Sequence, residues 1–329
     1  MQHPHTNPFV VTGAVKRIFR LLDSLRAQGC IEENDTNCLI TGESGSGKSE
    51  LVKQYAAKYP RRELSEYTHI PVLYVRLRSP QTAKAFTEQI LVAMGDPQGG
   101  KGAKTKEKGF DLIRNFCLEC GVELIILDEV QTVIQNRSPG VIASISDWFK
   151  DLMNDTKVPV VMVGMPWCRS FVEENDQLDT RIGYRYYLET FRVSSQFSYF
   201  IRFLELFSKN YEFDSDFSLT DTEMAYRLFA YSSGVIRATT GQILRAKILA
   251  SASDKKMGLS FFQEAIRIRG IKDGNNVFIM PIKDIRLREI VNPSQWVQQK
   301  SYRKERFRSA QFKSYMLTGK LELIECNDD

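Results

Sequence analysis

The sequence has little of the residues that mark disulfide-rich, zinc-binding or membrane proteins. It contains six cysteines and three histidines in 329 residues, which fits a reducing cytosol and leaves no zinc or hydrolase constellation. The single Cys-x-x-Cys pair, Cys117 and Cys120, stands on an apolar helix face, so we interpret it as packing. The longest strongly apolar stretches, 123–127 and 158–166, are far shorter than the roughly 20 residues that span a bilayer. We expect no membrane partner.

The first residues of the chain are also unlike a signal peptide. Residues 1–11 carry His and Pro where a signal peptide would carry lysine followed by an apolar run. Hydrophobic residues make up 43% and charged residues 26% of the chain, an ordinary globular composition that argues against a long disordered polymer. At about 150 residues per domain, the length predicts about two domains. We therefore expect a soluble, cytoplasmic protein with a sizeable core.

Positive charge is concentrated in two short segments. The formal net charge is +5, but residues 300–313 hold six cations against one anion, and residues 101–108 hold four lysines against one glutamate. The remainder of the sequence is therefore slightly acidic. Basic segments of this kind attract polyanions, and solvated loops explain either segment alone equally well.

Hydrophobic periodicity predicts strands that alternate with helices as far as residue 192. The alternation predicts an α/β fold with a parallel five-stranded sheet flanked by helices. After residue 194 the spacing predicts a small helical bundle, then one short strand at 275–279 and a charged extension. The predicted strands of the sheet are 36–41, 72–77, 123–127, 158–163 and 184–188, and a loop rich in glycine and lysine is predicted at 95–109.

Residues 42–49, Gly-Glu-Ser-Gly-Ser-Gly-Lys-Ser, match the phosphate-binding loop (P-loop) pattern at every fixed position. Glycine lets the backbone curl so that successive N–H groups point at the β-phosphate, and the following helix adds its positive end. Lys48 would reach the outer phosphates, and the Ser49 hydroxyl would join the Mg²⁺ shell. The motif predicts that ATP with Mg²⁺ binds to Gly42, Glu43, Ser44, Gly45, Ser46, Gly47, Lys48 and Ser49.

An apolar strand that ends in two carboxylates supplies the second half of such a site. Residues 123–129 read Glu-Leu-Ile-Ile-Leu-Asp-Glu. Asp128 at the strand end would hold Mg²⁺ through water, and Glu129 would orient the attacking water. The pair distinguishes the chain from nucleotide kinases, which need no water-activating glutamate. We predict ATP hydrolysis, with Asp128 as a metal and nucleotide ligand and Glu129 as a catalytic residue.

With these motifs the chain resembles AAA+ ATPases, and within them the transposition regulators of the TniB/TnsC kind. The resemblance rests on the loop GESGSGKS, the run LIILDEVQ and the strand VPVVMVGMP, and it covers residues 10–250. It implies an AAA+ P-loop domain followed by a small helical lid and a basic C-terminal extension. The expected parts are an N-terminal helical segment (1–35), a nucleotide-binding core (36–192), the lid (193–270) and the extension (271–329).

The resemblance also implies roles for arginines. Arg181 stands where the family places an arginine finger that enters a neighbouring subunit's site, and Arg185 is the substitute. Arg237, at the start of a lid helix, resembles the second sensor that touches the γ-phosphate of the bound nucleotide. Met165 stands where the family usually has a polar residue, and its thioether cannot donate a hydrogen bond, so we expect slow hydrolysis. The expected catalytic residues are Lys48, Glu129 and Arg181.

Both basic segments invite a partner. Lysines on the glycine-rich segment 99–109 can follow a phosphate backbone without reading bases, and in the family such insertions line the inside of a helical oligomer around duplex DNA. The tail 300–313 interleaves aromatic residues with its cations, which suits nucleic acid or a partner protein, and we expect the protein. The lysines expected to contact DNA are Lys101, Lys104, Lys106 and Lys108.

These features predict an ATP-dependent, DNA-binding AAA+ regulator of DNA transposition. The resemblance implies a homo-oligomer, as a ring or helical filament on duplex DNA, that links target-selection proteins to the transposase. One alternative is a helicase loader with the same core, which usually favours single strands. Another is a nucleotide-gated scaffold in signalling or defence that does not hydrolyse ATP, and Met165 favours it.

Overall fold

The fold is built on a five-stranded parallel sheet, described by a computed structural model that covers residues 8–28, 36–78, 83–135, 138–297 and 306–326. The helices are α1 (Gly13–Gln28), α2 (Lys48–Ala57), α3 (Ala83–Met94), α4 (Lys106–Glu119), α5 (Gln131–Ile134), α6 (Pro139–Thr156), α7 (Cys168–Glu173), α8 (Asp176–Asp179), α9 (Phe197–Ser208), α10 (Thr222–Ser232), α11 (Ile236–Ala252) and α12 (Leu259–Arg267). The strands are β1 (Cys38–Gly42), β2 (Arg62–Glu63), β3 (Thr68–His69), β4 (Val72–Arg76), β5 (Leu124–Asp128), β6 (Val160–Gly164), β7 (Tyr184–Leu188), β8 (Leu287–Asn292), β9 (Gln295–Val297), β10 (Arg306–Arg308), β11 (Gln311–Leu317) and β12 (Leu323–Cys326). Within these described residues, no helix combines the length and apolarity needed to cross a membrane.

The sheet has the strand order β4-β5-β6-β1-β7, and all four strand pairings are parallel. Every residue of β1, β5 and β6 is buried, as continuous apolar runs in a parallel sheet covered on both faces require. The edge strand β7 is more exposed. The predicted five-stranded parallel sheet is confirmed.

Helices cover both faces of the sheet. On one face α1 and α2 bury Ile18, Leu22, Leu51 and Tyr55 against the sheet. On the other face α3, α4 and α6 form a second core that is centred on Trp148. The indole N–H of Trp148 donates to the Thr87 hydroxyl at 3.1 Å, so this large side chain has its polar atom satisfied inside the core. The predicted flanking of the sheet by helices is confirmed.

The segment between α3 and α4 is shorter than the sequence predicts. The predicted loop 95–109 is wrong in its last four residues, because α4 begins at Lys106. Thr105 caps the helix, and its side chain accepts a hydrogen bond from the N–H of Lys108 at 3.3 Å. Gly109 lies inside the helix, and a Cβ there would approach the Thr87 methyl group to 2.7 Å, so the close packing favours glycine at this position. Glycine at 109 thus marks close helix packing instead of a loop.

The lid and the extension share one core. Aromatic side chains of α9, α10 and α12 pack together with Leu287, Tyr315 and Leu317 of the extension. The expected domain boundaries at 35, 192 and 270 stay predictions.

The predicted strand at 275–279 is wrong, because residues 273–275 form a 3₁₀ turn and the Asn276 side chain accepts from the N–H of Phe278 at 3.1 Å. An asparagine that bonds its own backbone favours a turn over a strand.

The extension is richer in strands than a charged tail. Strands β8, β11 and β12 form an antiparallel sheet in the order β12-β11-β8, and β9 pairs with β10. These strands leave little sign in the sequence, because Glu289 stands inside β8 among buried positions and breaks the apolar pattern. Its carboxylate, 2% exposed, accepts from the N–H and hydroxyl of Ser194 at 2.9 and 2.6 Å and from the Tyr315 hydroxyl at 3.0 Å. Glu289 therefore joins the extension to Ser194, at the start of the expected lid.

Replacing this buried carboxylate is expected to destabilise the fold. Glu289→Ala leaves the Ser194 and Tyr315 donors without their acceptor, and we expect the free energy of unfolding to fall by about 2–4 kcal/mol. Urea denaturation followed by circular dichroism measures the loss. Glu322→Ala, at an exposed position of the same extension, is the matched control and should change stability by about 0.5 kcal/mol or less. Equal effects of the two substitutions would contradict this role of Glu289.

Candidate nucleotide-binding site

The carboxyl ends of the five strands meet at one edge of the sheet. Strand register aligns Arg76 with Asp128, and Gly42 with Leu188. Gly164, at the end of β6, is paired with Thr41 of β1. Ligands of open α/β sheets bind at this edge. A cavity of about 600 Å³ opens here. The register therefore brings together motifs that are more than a hundred residues apart in the sequence.

The P-loop has the backbone shape that its glycines allow. Gly45 has φ +83° and Gly47 has φ +96°, both in the left-handed region that favours glycine. Gly47 precedes α2, and no side chain caps that helix, so the N–H groups of its first turn keep their capacity to bind an anion. Residues 44–51 line the cavity. The loop fits a phosphate group.

Lys48 carries its ammonium into this loop. The residue is 7% exposed, and its Nζ donates to the main-chain oxygen of Glu43 at 3.2 Å and lies 3.9 Å from the Met165 sulfur. Burial lowers the pKa of Lys48 below its ordinary value, against the opposing effect of the Glu129 and Asp128 charges nearby. A buried cation that is hydrogen-bonded to neutral atoms is suited to receive an oxyanion.

Asp128 is 1% exposed and fully hydrogen-bonded. Its Oδ1 accepts from the Ser49 hydroxyl at 3.2 Å and from the Glu129 N–H at 2.8 Å, and its Oδ2 accepts from the Tyr74 hydroxyl at 2.9 Å. The paired oxygens of Ser49 and Asp128 are the ligand type that Mg²⁺ prefers. The two residues predicted to hold the metal are therefore in contact and fit that ion.

Glu129 is held beside the cavity in an uncommon conformation. Its φ is +65°, which is sparsely populated for a residue with a side chain. Its carboxylate accepts from Gln131 Nε2 and forms an ion pair with Arg76 at 3.2 Å. Glu129, Arg76 and Gln131 all line the cavity. The acidic residue predicted to activate water thus faces the space where phosphates would lie.

The lid reaches the P-loop through its helix α11. The N–H of Arg237 donates to the Gly45 oxygen at 3.0 Å, and a Cβ on Gly45 would approach Val235 Cγ1 to 2.8 Å. Arg237 lines the cavity, and its charge contributes to the lowered pKa of Lys48. Arg237 is therefore beside the loop, and its role as a sensor of phosphate stays a prediction.

Arg181 and Arg185 lie at the opposite edge of the sheet. The Arg181 oxygen accepts from the Asn37 side chain at 3.0 Å, ahead of β1, and the Arg181 Nε donates to Asn154 Oδ1 at 3.0 Å. Arg185 pairs with Asp179 at 2.6 Å. A five-residue strand spans about 16 Å, so neither side chain belongs to the cavity of its own chain. A role in a neighbouring subunit stays a prediction.

The four lysines predicted to contact DNA are exposed and lie away from the cavity. Lys101 and Lys104 are in the turn before α4, while Lys106 and Lys108 are on the helix. Lys106 forms an ion pair with Asp151 at 2.6 Å, so part of its charge is already compensated. Of the basic tail, residues 300–305 lie outside the described residues.

Several residues of the cavity escaped sequence reasoning. Tyr74 and Arg76 are two residues apart on β4, so both lie on the face of the sheet that carries Asp128 of β5, and this spacing is a usable signal. The N-terminal segment gives no such signal, although five of its residues line the cavity together with Leu188, Phe203 and Ile236: Pro8, Phe9, Val10, Thr12 and Val15. This part of the lining suits a flat base more than a phosphate. Gln131 is one of the further polar residues of the lining.

The close approach of lid and P-loop generates a prediction about Gly45. Gly45→Ala combines a positive φ, which costs about 1–2 kcal/mol for a residue with a side chain, with the contact to Val235. We expect affinity for a fluorescent ATP analogue to fall at least tenfold, as lid and loop separate. Gly140→Ala is the control, because nothing lies within 4 Å of a Cβ there. Unchanged affinity in the Gly45 variant would contradict the lid contact.

The fold is similar to that of several solved proteins. Cdc6p from Pyrobaculum aerophilum is 12% identical, with a TM-score of 0.59 over 82% of this chain and 71% of that chain. The ORC2 protein of Aeropyrum pernix, solved as ADPNP-ADP complexes, is 16% identical, with a TM-score of 0.57 over 81% and 69%. The Aeropyrum pernix ORC1 protein in complex with DNA is 15% identical, with a TM-score of 0.54 over 81% and 68%. These likenesses show the AAA+ fold.

A family match covers more than half of the chain. No curated protein sequence matches this chain. Residues 2–190 match the family described as Bacterial TniB protein, and this range includes the P-loop, Asp128, Glu129 and Arg181. The resemblance inferred from the motifs is confirmed, and the chain belongs to the TniB family.

Proposed function

We propose that this protein is an ATP-dependent, DNA-binding AAA+ regulator of DNA transposition. The observation that carries the proposal is the convergence of Lys48, Glu129 and Arg237 on one cavity at the carboxyl edge of the sheet. Membership of the TniB family supports the link to transposition. The ligand is ATP with Mg²⁺, and the reaction is attack of water on the γ-phosphorus, which breaks its bond to the bridging oxygen and releases ADP and inorganic phosphate.

The chain's own residues divide the chemistry of hydrolysis. The P-loop N–H groups and the Lys48 ammonium bind the phosphates and neutralise charge that develops on them. Glu129 orients the attacking water and takes up its proton. Ser49 and Asp128 would hold Mg²⁺, which when bound neutralises charge on the outer phosphate oxygens. Arg237, which contacts the P-loop through its N–H, ties the lid to the same phosphates.

The distance between the cavity and the two arginines, Arg181 and Arg185, bears on how subunits would assemble. We propose that Arg181 completes the site of a neighbouring subunit, so that ATP closes the interface and builds a ring or a filament. The location of Arg181 at the far edge of the sheet supports a role in trans. Its present partners, Asn154 and the Gln177 oxygen, would give way to a phosphate. Arg185 is the substitute.

The proposed polyanion is duplex DNA, which would pass along the exposed lysines before α4. Lys101 and Lys104 offer charge without the planar fork that reads guanine, so their contacts would be to phosphates. The ORC1 structure with DNA supports this use of the fold. Target-selection proteins and the transposase are the proposed protein partners, with the basic tail as a docking segment.

Met165 favours one competing function. Its sulfur approaches Lys48 to 3.9 Å in the place where a hydrogen-bonding side chain is expected. A chain that bound ATP without turnover would act as a nucleotide-gated scaffold. A steady-state assay of phosphate release with duplex DNA present distinguishes a slow ATPase from such a scaffold.

The direct test is electron microscopy of the protein with ATP and duplex DNA. We expect rings or filaments that contain DNA, and dispersed protein when ADP replaces ATP. The same mixture with single-stranded DNA tests the helicase-loader alternative. Assemblies on single strands alone would overturn the proposed function.

Glu129→Gln is expected to preserve ATP binding and to trap the oligomer. The amide has a similar size but accepts no proton, so turnover should fall about 100-fold or more. Phosphate release and calorimetry measure the two steps, and particles on DNA should persist longer than those of the parent protein. Turnover equal to that of the parent protein would remove Glu129 from the mechanism.

Arg181→Ala is expected to bind ATP but to lose assembly and turnover, the latter by about 1,000-fold. Mixing this variant with Lys48→Ala protein should restore some activity, because an intact P-loop then meets an intact arginine across the interface. Arg185→Ala in the same mixing experiment is the comparison. Rescue with the Arg185 variant and none with the Arg181 variant would assign the finger to Arg185.

The lysines before α4 are expected to bind DNA electrostatically. Changing Lys101, Lys104, Lys106 and Lys108 to Gln should weaken duplex binding equally across sequences and flatten its salt dependence by roughly 0.9 in log–log slope per lost phosphate contact. The control removes the same charge from four exposed lysines elsewhere, Lys255, Lys256, Lys272 and Lys283. Titrations at several salt concentrations measure the slopes. A flatter slope in the control variant alone would place DNA on the lid side.

A further inference from the structure

Gln131 connects the ends of β5 and β6. Its Nε2 donates to Glu129 Oε2, and its Oε1 accepts from the Met165 N–H at 3.2 Å. These partners define the orientation of the amide, because a carboxylate accepts only and a backbone N–H donates only. Gln131 also lines the cavity. One side chain thus contacts both the acidic residue at β5 and the residue where a polar group is expected at β6.

The fold leaves space for this amide. A Cβ on Gly164 would lie 3.1 Å from Gln131 Oε1 and 2.7 Å from the Cys168 sulfur, so a larger residue at 164 would displace Gln131. Met165 presents only a thioether at the cavity, and a thioether is no donor. Beside the Lys48 ammonium, the neutral side chain that offers a hydrogen-bonding group next to the thioether is therefore Gln131.

We propose that Gln131 supplies the polar group that Met165 lacks, as the positioning residue for Glu129 and a donor to the attacking water. This inference rests on the proposed ATP hydrolysis. An amide nitrogen carries two hydrogens, and the bond to Glu129 uses one of them. The second can donate to a water molecule or phosphate oxygen in the cavity.

Gln131 also counteracts a competing contact. Arg76 pairs with Glu129 Oε1 at 3.2 Å, while Gln131 bonds Oε2, so the two oxygens are held from two sides. Without Gln131 the carboxylate is left to Arg76, whose side chain is 62% exposed and thus leads toward solvent. Loss of the amide would misplace the base as well as remove a donor.

The test compares turnover with binding in the full chain. Gln131→Ala should lower kcat about 10- to 100-fold, with affinity for a fluorescent ATP analogue within about threefold of the parent protein. Gln131→Glu, which keeps the size but removes both N–H donors, should lose the same activity and guards against a folding defect. Gln135→Ala, one helical turn away and exposed, is the matched control and should match the parent protein.

A rescue separates this role from mere packing. Met165→Asn places an amide where the thioether stands. We therefore expect the kcat of the double variant Gln131→Ala/Met165→Asn to be at least about tenfold higher than that of Gln131→Ala alone. Failure of both Gln131 variants to lower kcat in an active chain, or an absence of rescue, would overturn the inference alone. A parent chain that binds no ATP, or binds it without turnover, would overturn the proposed hydrolysis together with it.

A separate observation concerns the extension, which contacts the site at two points. The Ser294 N–H and hydroxyl donate to the two carboxylate oxygens of Glu43 at 2.5 and 3.2 Å. Trp296 packs edge to face against Trp167, with ring centroids 5.0 Å apart. Trp167 follows Met165 by two residues. Residues 294–296 therefore contact both the P-loop and the turn after β6.

We infer that residues 294–296 couple nucleotide binding to the position of the extension. Glu43 is 8% exposed and directly precedes the P-loop residues that line the cavity. Bound phosphates would repel this carboxylate, so its hydrogen bonds from Ser294 would stabilise the nucleotide-bound loop more than the empty loop. The extension in turn shares a core with the lid, so the contact links three parts of the chain. Coupling of this kind is reciprocal.

Hydrogen exchange of the full chain tests the coupling. A non-hydrolysable ATP analogue should slow exchange of the 287–297 amides by about fivefold or more, and Ser294→Pro or Trp296→Ala should abolish the slowing. Ser309→Ala, exposed in the same extension, should retain it. A chain that binds the analogue without slower exchange, or variants that keep the effect, would overturn the coupling. No binding of the analogue by the parent chain would overturn the nucleotide site as well.

Discussion

The ammonium of Lys48 is a positive charge inside the protein with neutral atoms as its hydrogen-bond partners. Burying a charge without a bonded counter-ion costs several kcal/mol, and the neighbouring carboxylates offset only part of this. Both carboxylates are engaged elsewhere: Asp128 by Ser49 and Tyr74, and Glu129 by Arg76 and Gln131. The network thus keeps acidic groups near the lysine yet off it. A polyanion bound beside Lys48 would offset the cost of burying its charge.

Local pattern was sufficient to predict the sheet and the centre of the site. Parallel strands that are buried on both faces leave continuous apolar runs, and the P-loop and the Asp128–Glu129 pair each lie within eight residues of sequence. The errors occurred where one side chain decided the backbone. Thr105 starts a helix inside a predicted loop, and Asn276 makes a turn in a predicted strand. The strands of the extension were hidden because Glu289 bonds a serine 95 residues away.

The residues that orient the motifs were harder to predict than the motifs. Tyr74 and Arg76 act from a neighbouring strand, whose register with β5 exists only in the folded sheet. The contact of Ser294 with Glu43 joins positions 251 residues apart, and no periodicity reports it. Arg181 illustrates the remaining gap, because a residue that is proposed to act in another subunit leaves no mark on the cavity of its own chain. Its assignment stays a prediction.

The bond between the lid and the P-loop uses only main-chain atoms, the Arg237 N–H and the Gly45 oxygen. Docking of the lid and the proposed sensing of phosphate by the Arg237 side chain are therefore separable properties. Any residue other than proline at position 237 preserves the docking bond, whatever its charge. The contact between the lid and the P-loop can thus persist while a response of the lid to the γ-phosphate is gained, weakened or lost through one side chain. A protein family built on this fold can change what its lid responds to without changing the contact that docks the lid on the P-loop.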